Sequence, residues 1–387
     1  MLPKNIVVCC DGTGNEIGVN ISNVLKLYRM LEKEDGQIVY YDPGVGTLGQ
    51  RKTWGRINQD IKGVVGLLTG YGLDDDVLEA YRFVATHYTE GDHIFLFGFS
   101  RGAYSVRVLA GFMHLLGLLR PDQLNYVGYA FAAYKRAAMD NEDLSTAWHF
   151  RRIVGGRTVP VRFLGVWDTV ASVIVPRPDR LYIPSFETLP YTLQNPSVAI
   201  FRQAIAIDEF RRMFRLRNWK DNQQYKPNRF STSEPRKQDI RQVWFAGCHA
   251  DIGGGYPEAE SGLSKFPLAW MVEQAQTHGL KIHRAMFSHL VEGKPRTGSE
   301  LTYAQPDPGA PLHDSATGAW RILEWLPKKV ALSEWPGRRS IFGFYLPRYE
   351  PRPIPEGARI HRSVLERKAL VPSYRPRNLP AIFDVEQ

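Results

Sequence analysis

Apolar and polar positions follow one another along this chain in two kinds of block. Short unbroken apolar runs predict buried strands at Asn5–Cys10, Gln37–Tyr41, Asp92–Phe97, Val161–Val166 and Val243–Ala246. Between them lie stretches with helical spacing. Ile21–Glu32 sets Val24, Leu25, Tyr28 and Leu31 on one face, with Ser22 as a candidate N-cap. Leu73–Tyr88 opens on Asp74–Asp76, three carboxylates that suit the positive end of a helix dipole. Ala103–Leu119 follows a Gly-rich turn. Strand and helix in repeated succession predict an α/β fold, a mostly parallel central sheet with helices on both faces. Pro184, Pro190 and Pro196 make Tyr182–Pro196 a loop. From about Gly262 to Pro355 the pattern gives way to Trp-, Pro- and Arg-rich sequence, read as a cap or insertion. One domain over 1–387 is expected, with a core of about 1–260 plus 356–387 and a cap of about 262–355.

Composition narrows this picture. At 43% hydrophobic and 23% charged residues, the 387-residue chain can bury a large core, which excludes disorder as its dominant state. Three cysteines cannot staple a chain this long, and Cys9, Cys10 and Cys248 show no zinc-ligand spacing. They read as buried thiols in strands. The apolar run Ile6–Cys10 is too short for a secretory signal, and Val106–Leu119, broken by Arg107 and His114, is too short to span a bilayer. A cytoplasmic protein, or one exported by a signal-independent route, is expected. The net charge of +9 favours anionic partners, and equally suits plain solubility.

The most specific local signal is Gly98-Phe99-Ser100-Arg101-Gly102, a G-x-S-x-G sequence between a strand, Ile94–Phe97, and a helix. A strand–turn–helix of this kind needs small flanking residues and lifts the serine to the top of an α/β-hydrolase-like sheet. It also puts the Arg101 N–H at a helix start, where it can stabilise an oxyanion. The alternative is a tight turn with a capping serine. A serine nucleophile needs a base and an orienting acid. Asp168, in Gly165–Thr169, and Asp251, in Gly247–Asp251, are candidate acids; His249 and His361 are candidate bases. His87, His93 and His114 read as structural. The first strand ends in Asp11-Gly12-Thr13-Gly14-Asn15. An aspartate-based phosphatase would carry its nucleophile where Cys9 stands, and Gly-x-Gly alone is a weak nucleotide signal. A better fit is the loop that supplies a second oxyanion donor from Gly12 or Thr13, with Asp11 fixing it; a plain Asx-turn is the bland reading.

DGTGN, YDPGVGT, GFSRGA, GVWDTV and GCHADIGGGY occur in that order between Asp11 and Tyr256. Together they resemble the family of α/β-hydrolase-like domains typified by type VI secretion phospholipase effectors. The resemblance implies Ser100 as nucleophile, Asp168 as acid and His249 as base, and a lipid or phospholipid acyl ester as substrate. It implies no metal or organic cofactor. The different-class alternatives are a non-catalytic hydrolase fold that binds, and an esterase of soluble, non-lipid esters. A second triad, Ser100–Asp251–His361, matches the commoner placement of a late acid and a histidine after the final strand.

The C-terminal third carries its own chemistry. Trp320, Leu323, Trp325, Leu326, Trp335, Phe342, Phe344 and Tyr345 are interleaved with Lys328, Lys329, Arg338 and Arg339. That mix suits peripheral contact with an anionic membrane. Single-stranded nucleic acid uses the same mix but is not expected here, and a cap packed onto the core is the bland alternative. Arg211, Arg212, Arg215, Arg217 and Lys220 read as a solvated helix face or an anionic head-group site.

Overall fold

The computed structural model describes residues 3–12, 20–44, 72–139, 144–170, 174–176, 184–186, 189–228, 230–329, 333–336 and 339–387. Eight strands form the central sheet: β1 Asn5–Cys10, β2 Gln37–Asp42, β3 His93–Phe99, β4 Val161–Trp167, β5 Val198–Ala206, β6 Asp239–Phe245, β7 Ala358–His361 and β8 Phe383–Glu386. Their order is β2-β1-β3-β4-β5-β6-β7-β8, and every pairing is parallel.

Parallel strands need crossovers, and the crossovers here bury both faces of the sheet. In β1 the pleat sends Ile6, Val8 and Cys10 to one hydrophobic cluster and Val7 and Cys9 to another. The first cluster is closed by α2 Leu73–His87, α3 Ser100–Leu116, α4 Val127–Met139 and α5 Ser145–Val154. The second is closed by α1 Asn23–Met30, by α7 Lys265–Gln276 and by α8 Arg284–Leu290. The segment expected as a cap thus opens with two helices of the core, α7 against β4 and β5 and α8 against α1. Ser22 caps α1 by accepting from the Leu25 N–H, as its position predicts.

Three strands escape the sequence pattern. Val198–Ala206 carries Arg202 and Gln203 inside a buried run, and Arg202 is tied to Asp239 on the neighbouring strand. β7 and β8 have four residues each, too few for a periodic signal. Within the expected loop Tyr182–Pro196, Pro184–Phe186 pairs as a short antiparallel ribbon with Ile174–Pro176. Cys9 and Cys10 lie in β1, while Cys248 sits beyond the end of β6; all three are buried and none forms a disulfide. Among the described residues no helix is long and apolar enough to cross a membrane.

The chain runs from β1 outward to β2, then returns to place β3 on the other side of β1. The crevice above the carboxyl ends of β1 and β3 is therefore the topological switch point, where open α/β sheets bind ligands.

Candidate active site

Ser100 stands at this switch point as the first residue of α3, with φ +56°. That backbone conformation is costly for a residue with a side chain and persists only where the surroundings enforce it. Two glycines do so. A Cβ on Gly98 would lie 2.4 Å from the Gly102 carbonyl oxygen, and one on Gly102 would lie 2.2 Å from that of Cys10. The turn closes because neither side chain exists. α3 consequently begins at Ser100 rather than at Ala103, where the sequence places it.

His249 opens α6, His249–Gly253, just past the end of β6. Three successive backbone amides hold this loop, each by a carboxylate. Gly247 N–H donates to Asp208 Oδ2 at 2.8 Å, Cys248 N–H to Asp251 Oδ2 at 3.0 Å, and His249 N–H to Glu209 Oε2 at 3.2 Å. The imidazole lies between the rings of Phe99 and Phe214, at centroid distances of 4.7 and 4.8 Å. So held, its Nε2 is 2.8 Å from Ser100 Oγ and its Nδ1 is 2.5 Å from Asp168 Oδ2. With the proton on Nδ1 facing the carboxylate, Nε2 accepts from the serine hydroxyl.

Asp168 follows β4 with φ +38° and is fully buried. Its Oδ1 accepts from the Ala206 N–H at 3.0 Å. Arg352 grips both oxygens, Nη1 to Oδ1 at 2.6 Å and Nη2 to Oδ2 at 3.1 Å. Burial alone would raise the carboxyl; Arg352 and then His249 overcome it and hold Asp168 far below the usual carboxylate range. Burial lowers His249 from its ordinary value, against the upward pull of Asp168. Nothing in the sequence around Arg352 marks it, because a partner 184 residues away leaves no local pattern.

The structure keeps the other predicted residues apart from this constellation. His361 ends β7, accepts from the Ser363 N–H and stacks on Phe245, with no bond to Ser100. Asp251 binds the Cys248 amide and His313 Nδ1, the latter at 2.7 Å, and makes no bond to the imidazole of His249. Its carboxylate fixes the His249 loop. Asp11 anchors the loop after β1: Oδ1 accepts from the Gly12 N–H at 2.7 Å, and Oδ2 from the hydroxyls of Ser22 and Tyr41. The Gly12 amide is thereby engaged by Asp11, as expected of a residue that fixes this loop, and Gly12 lines the cleft with Ser100. Thr13 lies outside the described residues. Arg101 is the second residue of α3, and burial lowers its guanidinium to about 10 against the pull of Asp76.

A cleft of roughly 390 Å³ opens above Ser100 and His249, bounded by Gly12, Phe214, Tyr256 and Trp320. Trp320, expected at a bilayer interface, meets Phe214 edge-on at 5.2 Å and forms a cleft wall instead. The expected basic helix face is not helical, and of its five residues only Lys220 is exposed. Arg211 is paired with the buried Glu209, Arg212 with Glu350, and Arg215 with Glu334. Among the described residues no cluster of His, Cys, Asp and Glu is arranged to hold a metal ion.

A family model described as the type VI secretion system (T6SS) phospholipase effector Tle1-like catalytic domain matches residues 4–274. The uncharacterised protein YEL023C of Saccharomyces cerevisiae (strain ATCC 204508 / S288c) is 32% identical over 230 residues, 55% of this chain and 32% of that protein. An uncharacterised protein from Pseudomonas aeruginosa has a solved structure 18% identical in sequence, with TM-score 0.41, covering 73% of this chain and 46% of its own. The Tle1 effector bound to the VgrG spike from the type VI secretion system is 19% identical, with TM-score 0.34, covering 68% of this chain and 53% of its own. The chain spans about a third of the yeast protein and about half of each solved chain. The family match runs from the first strand into the helix that follows the His249 loop, most of the sheet included, and on that extent the chain belongs to the Tle1-like phospholipase effector catalytic-domain family.

Proposed function

We propose that this chain is a serine hydrolase that cleaves a carboxylic ester, with a phospholipid acyl ester as its leading substrate. The observation that carries the reading is the unbroken relay from Ser100 Oγ through His249 to Asp168, at 2.8 and 2.5 Å. Ser100 Oγ attacks the acyl carbon while His249 Nε2 takes its proton, and Asp168 stabilises the imidazolium that forms. The Arg101 N–H, in the first turn of α3, is the proposed donor to the tetrahedral oxyanion. The imidazolium then protonates the departing alcohol, and water activated by the same nitrogen clears the acyl-enzyme. Family membership favours lipid over other esters, and the aromatic walls of Phe214, Tyr256 and Trp320 suit an acyl chain.

The ribbon formed by Lys328–Lys329 and Phe344–Tyr345 carries exposed Ile341 and Phe342 in the turn before Phe344, the latter 98% accessible. Trp325 is also exposed, and Arg348 lies over its ring. Ile341, Phe342, Phe344 and Leu346 line a second cleft together with Arg339 and Arg348. An anionic bilayer is the partner this mix suits, apolar tips entering the interface and arginines meeting phosphates. Tyr345, buried and accepting from Arg212 Nε, forms the inner wall of that cleft.

The test pairs a fluorophosphonate label with product analysis on defined phospholipids and short-chain esters. The expected result is stoichiometric labelling of Ser100 and release of fatty acid, reduced about a thousandfold or more in folded Ser100→Ala. A folded Ser100→Ala that keeps near-normal hydrolysis refutes the nucleophile. Turnover of soluble esters alone refutes the lipid substrate.

A further inference from the structure

We infer that Arg352 is a positioning residue that holds the triad acid in place and sets the basicity of His249. The inference rests on the roles proposed above for Ser100, His249 and Asp168. It concerns a residue outside the matched segment 4–274 and far along the chain from any of the three.

The geometry singles it out. A triad acid needs its second oxygen fixed so that the first meets the imidazole squarely, and backbone N–H donors suffice for that. Asp168 has one such donor, Ala206 N–H, and in addition a two-pronged guanidinium. The fork is itself held. Its Nη1 also donates to the Ala206 carbonyl at 3.3 Å and its Nη2 to that of Phe214 at 2.9 Å. The Arg352 carbonyl accepts from Asn378 Nδ2, which also donates to the Ile207 carbonyl. Arg352 is therefore pre-set against the ends of β4 and β5 and adjusts little during turnover.

The charge has a second effect. A lone buried carboxylate would attract a proton to His249 and leave its Nε2 unable to accept from serine. Arg352, bound to both oxygens of Asp168, offsets part of that attraction and adds to the burial that already keeps the imidazole unprotonated to lower pH. Of the other charges around the ring, Arg211 also opposes protonation and Glu209 favours it. Glu209 meets the His249 amide but is paired with Arg211, which stands on the same side. On the histidine's own helix, Asp251 is paired with His313, and Cys248 is a buried neutral thiol raised by burial. Ser100 is uncharged. Removing the Arg352 cation therefore shifts the balance at His249 in one direction, toward the imidazolium.

The experiment titrates His249 by nuclear magnetic resonance of the histidine-labelled 387-residue chain, in wild type, Arg352→Gln and Arg352→Lys, alongside pH–rate profiles. In Arg352→Gln the His249 midpoint is expected to rise by about one pH unit, and the acid limb of kcat/KM with it. Arg352→Lys keeps the charge, so its midpoint stays near wild type, but one ammonium replaces the fork and kcat falls at least about fivefold at similar KM. A midpoint that does not move in folded Arg352→Gln overturns the inference. If Arg352→Gln fails to fold, Arg352→Lys decides: kcat within twofold of wild type overturns it. The imidazole titration does not depend on which substrate is cleaved, so a failure here is separable from a failure of Ser100 as nucleophile, which Ser100→Ala reads directly.

Discussion

Gly102→Ala adds a single methyl group where α3 crosses the end of β1. That methyl would lie 2.2 Å from the Cys10 carbonyl oxygen and 2.4 Å from that of Asp11. Ordinary contact begins near 3.4 Å, so helix and loop must part by about 1.2 Å. Both obstacles are backbone atoms. One belongs to a buried strand, and the other to a loop pinned by the bonds of Asp11 to Gly12, Ser22 and Tyr41. Neither can rotate away, so α3 moves and takes Ser100 with it. Overpacking of this kind costs about 1–3 kcal/mol. Misplacing a reacting atom by about 1 Å costs on the order of 100-fold in rate. Gly102→Ala should lower the urea midpoint by the equivalent of about 2 kcal/mol and reduce kcat about 100-fold, with KM less affected. Gly128→Ala is the control: it also lies early in a helix but meets nothing within 4 Å. Relief of glycine's conformational entropy should make it neutral or stabilising by up to about 1 kcal/mol. A Gly102→Ala protein with wild-type midpoint and turnover would refute the claim that close backbone approach sets the serine turn.

Three further outcomes follow from the same structure. His249→Ala should abolish hydrolysis while His361→Ala, at matched folding, keeps most of it; the reverse pattern would reinstate the late histidine as base. His361 is pushed down to about 4, by burial first and then by Arg362. An unfolded histidine titrates near ~6.5, so the unfolded chain binds the extra proton between these values. Stability should therefore fall as pH drops through that window, by up to about 3 kcal/mol, and His361→Gln should flatten this part of the urea-midpoint profile. An unchanged slope would count against it. Trp325→Ala with Phe342→Ser should cut hydrolysis of anionic vesicles at least about tenfold while leaving a short-chain ester and the melting temperature nearly untouched. Equal losses on both substrates would show these side chains to be part of the folded core.

The serine turn was legible because its cause is local: two glycines flank one serine between a strand and a helix, all within a few residues. The loop at Gly247–Asp251 was legible for the same reason, although Asp251 and His249 could not be separated by spacing alone. The fold distinguishes them by direction. The start of α6 sends the imidazole toward Ser100 and the carboxylate back to the Cys248 amide. β5 was missed because Arg202 and Gln203 interrupt its apolar run, and their partners, Asp239 and Arg107, come from elsewhere in the chain. The arginines near residue 212 misled because exposure was inferred from charge. Arg211 pairs with nearby Glu209, but the acidic partners of Arg212 and Arg215 lie more than a hundred residues on, at Glu350 and Glu334, and such pairs leave no periodic trace.

The hydrogen bonds that assemble the site join distant parts of the chain: 149 positions separate Ser100 from His249, 184 separate Asp168 from Arg352, and 166 separate Asp208 from Tyr374. The last of these partners are brought in next to β7 and β8, four-residue strands at the far edge of the sheet. Edges of that kind open at a lower free energy than the centre. When they fray, Arg352, Tyr374 and Asn378 lose their seats while β1 to β6 keep their ladder. Hydrolysis should then melt before the far-ultraviolet signal does, and during synthesis it should arrive last. A nascent chain ending near residue 340 already contains the serine turn and the His249 loop, yet Asp168 has no guanidinium to meet. Heat inactivation would begin at one margin of the molecule, well below the temperature at which the whole chain unfolds.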